Sequence, residues 1–223
     1  MRSPLLLVSV LALVRVAHGD ELITPNGVTL NASSQFFPIG NLTNNSGLSG
    51  PATIGNYTTI THAPASAATA WVTNASGADY YAAPVGPTPI MTFDLGGAFA
   101  VSDIVTWGYH FNAPNNNEAK DFSLQFSNDG GTTFSAPVNV THARTAQAND
   151  TLSLGLQNAN AIRLTITDNY RDAPGASGGD RVGLGEVKFI GTPLKIAESS
   201  NNWNDPGGVT WIGDGEPDNM DRV

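Results

Sequence analysis

The sequence predicts an all-β protein folded as an antiparallel β-sandwich. Three observations carry that prediction. Residues 121–134 read D-F-S-L-Q-F-S-N-D-G-G-T-T-F, with Phe122, Leu124 and Phe126 alternating against Ser123, Gln125 and Ser127. A strand turns successive side chains to opposite faces, so this stretch has one apolar and one polar face. Asn128-Asp129-Gly130-Gly131 then supplies residues that tolerate the positive φ of a tight hairpin turn. Second, short alternating segments recur with turn signals between them, and none shows a convincing 3.6-residue period, which leaves an antiparallel sandwich or barrel. Third, Gly 24 and Pro 14 in 223 residues point to many turns and little helix.

Taken in order, residues 1–19 open with Arg2, run through Leu5-Leu6-Leu7-Val8 to Val14, and close on Ala17-His18-Gly19. A charged start, a short apolar run and small residues at the two positions read by signal peptidase describe a secretory signal peptide, too short to span a membrane. The alternative is a buried N-terminal helix. On the first reading the mature chain starts near Asp20, is secreted or held at the cell surface, and inserts in no membrane. Residues 22–30 read as a first short strand with a Pro25-Asn26-Gly27 turn. Residues 31–66 are rich in Asn, Ser, Thr, Gly and Pro and read as a long loop region, a length that in compact domains marks function or mobility. Residues 67–71 suit either one helical turn or a short strand.

Residues 90–95 form a half-buried strand ended by Gly96-Gly97. Residues 101–111 form another, containing Ile104, Val105, Trp107 and Tyr109, and A-P-N-N-N at 113–117 is a polar loop. After the hairpin come short strands at 138–140 and 152–154. Residues 161–167 alternate Ile162, Leu164 and Ile166 against Arg163 and Thr165. A Gly/Pro-rich loop covers 169–180 and a closing strand 182–190. Trp71 and Trp107 belong to the core by size. No repeat at a solenoid period occurs between 20 and 191. Composition shifts after Gly191, and residues 192–223 read as a linker and the start of a truncated second module, or else as a short C-terminal tail. The domain itself is 20–191.

Formal charge is −9, from 10 basic and 19 acidic residues. Without Arg2 and Arg15 of the leader the balance is 8 against 19, or −11. Such a surface repels phosphate backbones and anionic lipid, which sets aside nucleic acid and acidic membranes as partners. There are no cysteines, so no disulfide or thiolate metal site is available, and a chain this long buries enough core without them.

The segments together resemble the discoidin family, also called the coagulation factor 5/8 type C domain, among the galactose-binding-like jelly rolls and similar to family-32 carbohydrate-binding modules. The resemblance covers 21–191. It rests on Ala32-Ser33-Ser34, Asn41-Leu42, Trp71, Phe93-Asp94-Leu95-Gly96-Gly97, Val105-Thr106-Trp107, Lys120-Asp121-Phe122, Ser127-Asn128-Asp129-Gly130-Gly131, Arg163-Leu164 and Gly183-Leu184-Gly185-Glu186-Val187-Lys188-Phe189. Each motif is common by itself; their order and spacing are specific. The resemblance implies an eight-stranded jelly roll with binding loops at one end, acting on glycans in most members and on phospholipid or protein in some. The loops Asn115-Asn116-Asn117 and 175–179 are polar or small rather than apolar spikes, which favours glycan over membrane. The family also implies one structural calcium ion, held at the positions matched here by Asn44-Asn45 and by Glu186. Asn44 is neutral where the family carries a charged ligand. The alternative is that Glu186 hydrogen-bonds backbone amides between the two chain ends. The tail, through Trp203, Asn204, Trp211, Gly213, Gly215, Pro217, Asp221 and Val223, more weakly resembles stretches that begin β-helix modules of bacterial surface proteins.

Sugar binding needs flat apolar faces flanked by planar hydrogen-bonding groups. His110, Asn112, Tyr170 and Arg171 are the candidate ligand residues, with Tyr80 as a stacking platform, provided the loops at Asn112 and Tyr170 converge at one end. The alternative is that the tyrosines are packing residues and Arg171 pairs with Asp172. No H-E-x-x-H, G-K-S/T phosphate loop or Gly-x-Ser-x-Gly elbow occurs. His62, His110 and His142 are widely spaced, and Asp168 with Asp172 reads as turn chemistry rather than an acid/base pair. Asn31, Asn41, Asn44, Asn56, Asn74, Asn139 and Asn149 begin N-x-S/T patterns, which are glycosylation acceptors in a eukaryote and chance in an Asn-rich bacterial protein; the tail favours chance. The reading is a secreted, non-catalytic carbohydrate-binding or adhesive module of a larger protein. The alternatives are an ancillary domain of a glycoside hydrolase or lyase, and a spacer without ligand.

Overall fold

The computed structural model describes residues 19–82, 87–173, 177–194, 196–197 and 211–212. Residues 1–18 and most of 192–223, where the signal-peptide and second-module readings fall, lie outside the described residues. The chain divides into two units, Gly19–Pro193 and the termini Met1–His18 with Leu194–Val223.

The first unit has eight strands: β1 (Glu21–Ile23), β2 (Gly27–Asn31), β3 (Trp71–Val72), β4 (Ile90–Gly108), β5 (Ala119–Ser127), β6 (Val138–Thr141), β7 (Asn149–Asn169) and β8 (Gly183–Pro193). Helical geometry among the described residues is confined to two 3-10 turns, Ile39–Leu42 and Tyr57–Thr59. The two long strands make the fold. The first half of β4 lies between β2 and the second half of β7, with Phe93 opposite Val28 and Ile162. The second half of β7 continues to β5, and β5 to β6. The second half of β4 lies between β8 and the first half of β7, with Ile104 opposite Phe189 and Leu152. β8 also pairs with β1 and with β3. One hydrogen-bonded sheet is thereby folded into two layers of an antiparallel jelly-roll sandwich. The fold line crosses β4 at Gly96, whose φ of 75° turns the chain in a region closed to most L-residues. The register of β4 on β7 breaks there, between Asp94 and Phe99.

Alternation then sets the core. Phe93 of one layer meets Phe189 of the other edge to face, ring centroids 5.6 Å apart. Met91, Ile104, Leu124, Ile162, Leu164, Leu184 and Val187 pack around them without exposure. Each such side chain contributes roughly 1.5–3 kcal/mol of hydrophobic stabilisation. The second layer is covered on its outside too. Leu48, Tyr57 and Ile60 of the long loop pack on Val105, Trp107 and Ile190. The Trp107 indole N–H donates to the Ile60 carbonyl at 2.9 Å. The loop predicted over 31–66 is therefore an outer wall of the sandwich, and residues 183–191 of β8 are buried on both faces.

The expected elements are found with their joins redrawn. The expected strands at 152–154 and 161–167 are parts of one strand, as are 90–95 and most of 101–111. The latter stops at Gly108 and leaves Phe111 in a loop. Residues 22–30 are two strands, because β1 pairs in one layer and β2 in the other. Around 67–71 both alternatives occur in succession: backbone bonds from Thr69 and Ala70 to the Ser66 carbonyl close a turn, and strand β3 starts at Trp71. At the tip of the organising hairpin Gly130 and Gly131 take φ of 69° and 87°. The Asp129 carboxylate accepts bonds from the Thr133 and Thr132 amides and from the Ser127 and Thr133 hydroxyls, which hold its pKa down at about 2. In the other unit β9 (Ile196–Ala197) pairs antiparallel with β10 (Trp211–Ile212).

Candidate functional site

β4 ends, β5 begins, β6 ends, β7 both begins and ends, and β8 begins at one pole of the sandwich. The registers show it: Trp107 lies opposite Asn149, Ala119 opposite Asn169, and Gly108 opposite Leu184. The segments 109–118, 142–148, 170–173 and 177–182 therefore meet there. Three asparagines lock them. An amide side chain donates and accepts as a peptide group does, so it can join two loops in place of a strand. The Asn116 amide donates to the Arg171 and Ala173 carbonyls at 3.1 and 3.0 Å. The Asn117 carbonyl oxygen accepts from the Gly179 and Arg181 amides at 2.5 and 3.1 Å. The Asn169 amide donates to the carbonyls of the same two residues at 3.2 and 2.9 Å. The polar A-P-N-N-N loop is scaffolding, with Asn116 and Asn117 buried.

Beneath the loops lies a buried polar floor. Glu118 Oε1 accepts from His142 Nε2 at 2.8 Å and from the Thr145 amide at 3.2 Å. His142 Nδ1 lies 2.8 Å from the Thr106 hydroxyl. Burial pushes the Glu118 carboxyl up, opposed by the bond from His142. The Tyr170 hydroxyl donates to the His142 carbonyl, and the Arg144 guanidinium lies 5.5 Å from the Tyr170 ring centre. Tyr170 thus braces the 142–148 loop from within.

The loops at Asn112 and Tyr170 converge as the sequence required, but the side chains divide. Asn112 and Arg171 are exposed at this pole and Tyr170 is half-buried. Two assignments need correction. Tyr80 is 1% exposed, its hydroxyl donates to the Pro87 carbonyl and its ring packs on Tyr81, so it offers no face to a sugar. His110 is fully buried, with Nε2 at 3.1 Å from the His62 carbonyl and Nδ1 accepting from the Asn112 amide at 3.1 Å. It shapes the loop and reaches no ligand. Among the described residues no hydrogen bond or ion pair engages the Arg171 guanidinium, and it does not pair with Asp172. Asn112, at φ 63°, accepts at its side-chain oxygen from the exposed Gln147 amide, 3.2 Å away.

The sequence reading missed two aromatics. Phe111 is 51% exposed and stands edge-on to the buried Tyr109, centroids 5.3 Å apart. Phe36 is 57% exposed, stacks on Phe37 and carries the Arg181 guanidinium 4.6 Å from its ring centre. Phe37 and Tyr109 share one packing cluster with Val72. The signal was present in W-G-Y-H-F, where Gly108 ends the strand and places the next aromatics in a loop.

At the chain ends, the expected metal position is arranged differently. Asn44 spends its side chain locally: its oxygen accepts from the Ser46 amide at 2.9 Å and its nitrogen donates to Asn41 at 3.3 Å. Glu186 is fully buried and accepts from the Asn45 amide with both oxygens, at 3.2 and 3.4 Å. The fully buried Lys188 brings its ammonium 2.6 Å from Asn45 Oδ1, 2.8 Å from Thr24 Oγ1 and 3.4 Å from Glu186 Oε1. Burial raises the Glu186 carboxyl and lowers the Lys188 ammonium, and their mutual attraction opposes both shifts. Calcium takes six to eight oxygens at roughly 2.3–2.6 Å. The oxygens here already surround a cation, so the residues do not fit the ion with Lys188 in place.

No family model matches the chain, and no curated protein matches it. Solved structures do. A fragment of a putative chitobiase from Bacteroides thetaiotaomicron is 17% identical, with a TM-score of 0.50, covering 77% of this chain and 93% of that one. The family 32 CBM from Clostridium perfringens NanJ, in complex with galactose, is 17% identical with a TM-score of 0.46, covering 77% and 98%. CpGH89CBM32-5 from Clostridium perfringens, in complex with GalNAc-β-1,3-galactose, is 17% identical with a TM-score of 0.46, covering 75% and 98%. At this identity the likeness is one of fold.

Proposed function

We propose that Gly19–Pro193 is a secreted, non-catalytic carbohydrate-binding module of the discoidin-like kind, and that the loop pole is its ligand face. The observation that supports this is a half-exposed aromatic ring, Phe111, in the same loop as the exposed Asn112 amide, at the pole that also carries the uncommitted Arg171 guanidinium. A sugar presents C–H groups to a flat ring and hydroxyls to planar amide and guanidinium groups, and these side chains supply both. The loops beneath are braced by Asn116, Asn117, Asn169 and Tyr170, so little ordering is left for binding to cost. A face of so few side chains binds weakly per site and suits a polymer met many times over. Export is supported by the leader pattern at 1–19. The galactose-containing ligands of the two clostridial neighbours make galactosides the first probes to try.

A glycan array probed with the full chain and with Phe111→Ala and Arg171→Ala variants tests the proposal. Surface truncations leave stability within about 0.5 kcal/mol, so folding is preserved. Each variant is expected to lose about tenfold in binding, the cost of truncating a contact worth somewhat over 1 kcal/mol. A wild-type chain that binds no glycan would make the module a spacer, and unchanged variants would move the ligand away from this pole.

A further inference from the structure

We infer that the Lys188 ammonium is the resident cation of this domain, joining three distant segments where related domains are expected to use calcium, so that folding needs no metal. The segments are the β1–β2 corner through Thr24, the loop after the first 3-10 turn through Asn45, and β8, which carries Lys188 itself, through Glu186. An ammonium has three N–H donors, and three oxygens from three segments receive them. The charges match as well: one carboxylate faces one positive charge, with a neutral amide and a neutral hydroxyl completing the shell. A doubly charged ion in the same shell would face a single carboxylate and too few oxygens. Nothing else in the shell competes, because Asn44 is committed to Ser46 and Asn41. The Lys188 side chain has no exposure, so water does not share this shell.

The test uses the full chain and needs no variant for its first arm. Thermal melts in millimolar calcium and in EDTA are expected to coincide, and calcium titration calorimetry is expected to show no binding heat. A melt that rises with calcium, or stoichiometric binding, overturns the inference. The second arm is Lys188→Met, which keeps length and apolar volume and removes the charge. Stranding the buried Glu186 carboxylate is expected to lower the melting temperature by about 10 °C. A variant that melts with the wild type would show that the ammonium joins nothing.

Discussion

The buried His62 makes this domain acid-sensitive by an amount that can be worked out. The ring is 3% exposed and fits between Gly47 and Gly185, where a Cβ would come within 2.1 and 2.8 Å of it. Its Nδ1 lies 2.6 Å from the Ala63 carbonyl, and its Nε2 is buried without a partner. Desolvation lowers its pKa from 6.5 to about 4, the Ala63 bond opposes the shift, and His110, 5.9 Å away, adds to it. The unfolded chain titrates near 6.5, so between that pH and 4 the unfolded state binds the extra proton. The stability is therefore complete above about pH 6.5 and is lost as pH falls toward 4. With these two values the loss reaches about 2.5 kcal/mol at pH 4.5. His62→Phe keeps a ring of similar size and cannot titrate. Urea unfolding at pH 7 is expected to place the variant within about 1 kcal/mol of wild type, since the lost Ala63 bond is offset by removal of an unpaired buried nitrogen. At pH 4.5 the variant should be the more stable by about 2.5 kcal/mol relative to that baseline. Groups common to both proteins, such as Glu118 and Glu186, largely cancel in the difference. Parallel pH profiles for the two proteins would refute the reasoning, because they would mean that the folded state accommodates the His62 charge.

Phe93→Ala removes the ring that joins the two layers at Phe189 and should cost about 3–5 kcal/mol in chemical denaturation, with the sheet spectrum of the folded state retained. Asn117→Ala strands the Gly179 and Arg181 amides, and a destabilisation of about 1–3 kcal/mol should be accompanied by faster hydrogen exchange confined to 177–182. Trp107→Phe removes the indole bond to Ile60, and increased proteolytic nicking near residue 60 should reveal the loosened outer wall before global stability falls by more than about 1.5 kcal/mol.

The pattern of Phe122, Leu124 and Phe126 was readable without a structure because a strand's side-chain period is local and a half-buried sheet enforces it at every second residue. The same logic located the cores of β4, β7 and β8 and the turn at Asp129. It could not see that the segments on either side of Gly96 are one strand, since the pattern lapses where the chain turns from one layer to the other. Site residues were less legible. The jelly roll implied by the resemblance assigned Asn112, Tyr170 and Arg171 to one pole, and the registers bring those loops together. Tyr80 sits in turn-rich sequence and His110 at the end of a predicted strand, yet Tyr80 is covered by Pro87 and Tyr81, and His110 by His62 and Asn112. Phe111 read as the end of a half-buried strand and instead stands in a loop, half in solvent.

Local chemistry thus determined strands, turns and the sandwich class, because each depends on neighbours within a few residues. Which polar side chains face outward, and which cation sits between Thr24, Asn45 and Glu186, was decided only when segments up to 164 residues apart closed on one another. Burial and hydrogen-bond completion are properties of those distant contacts, and no stretch of sequence carries them alone.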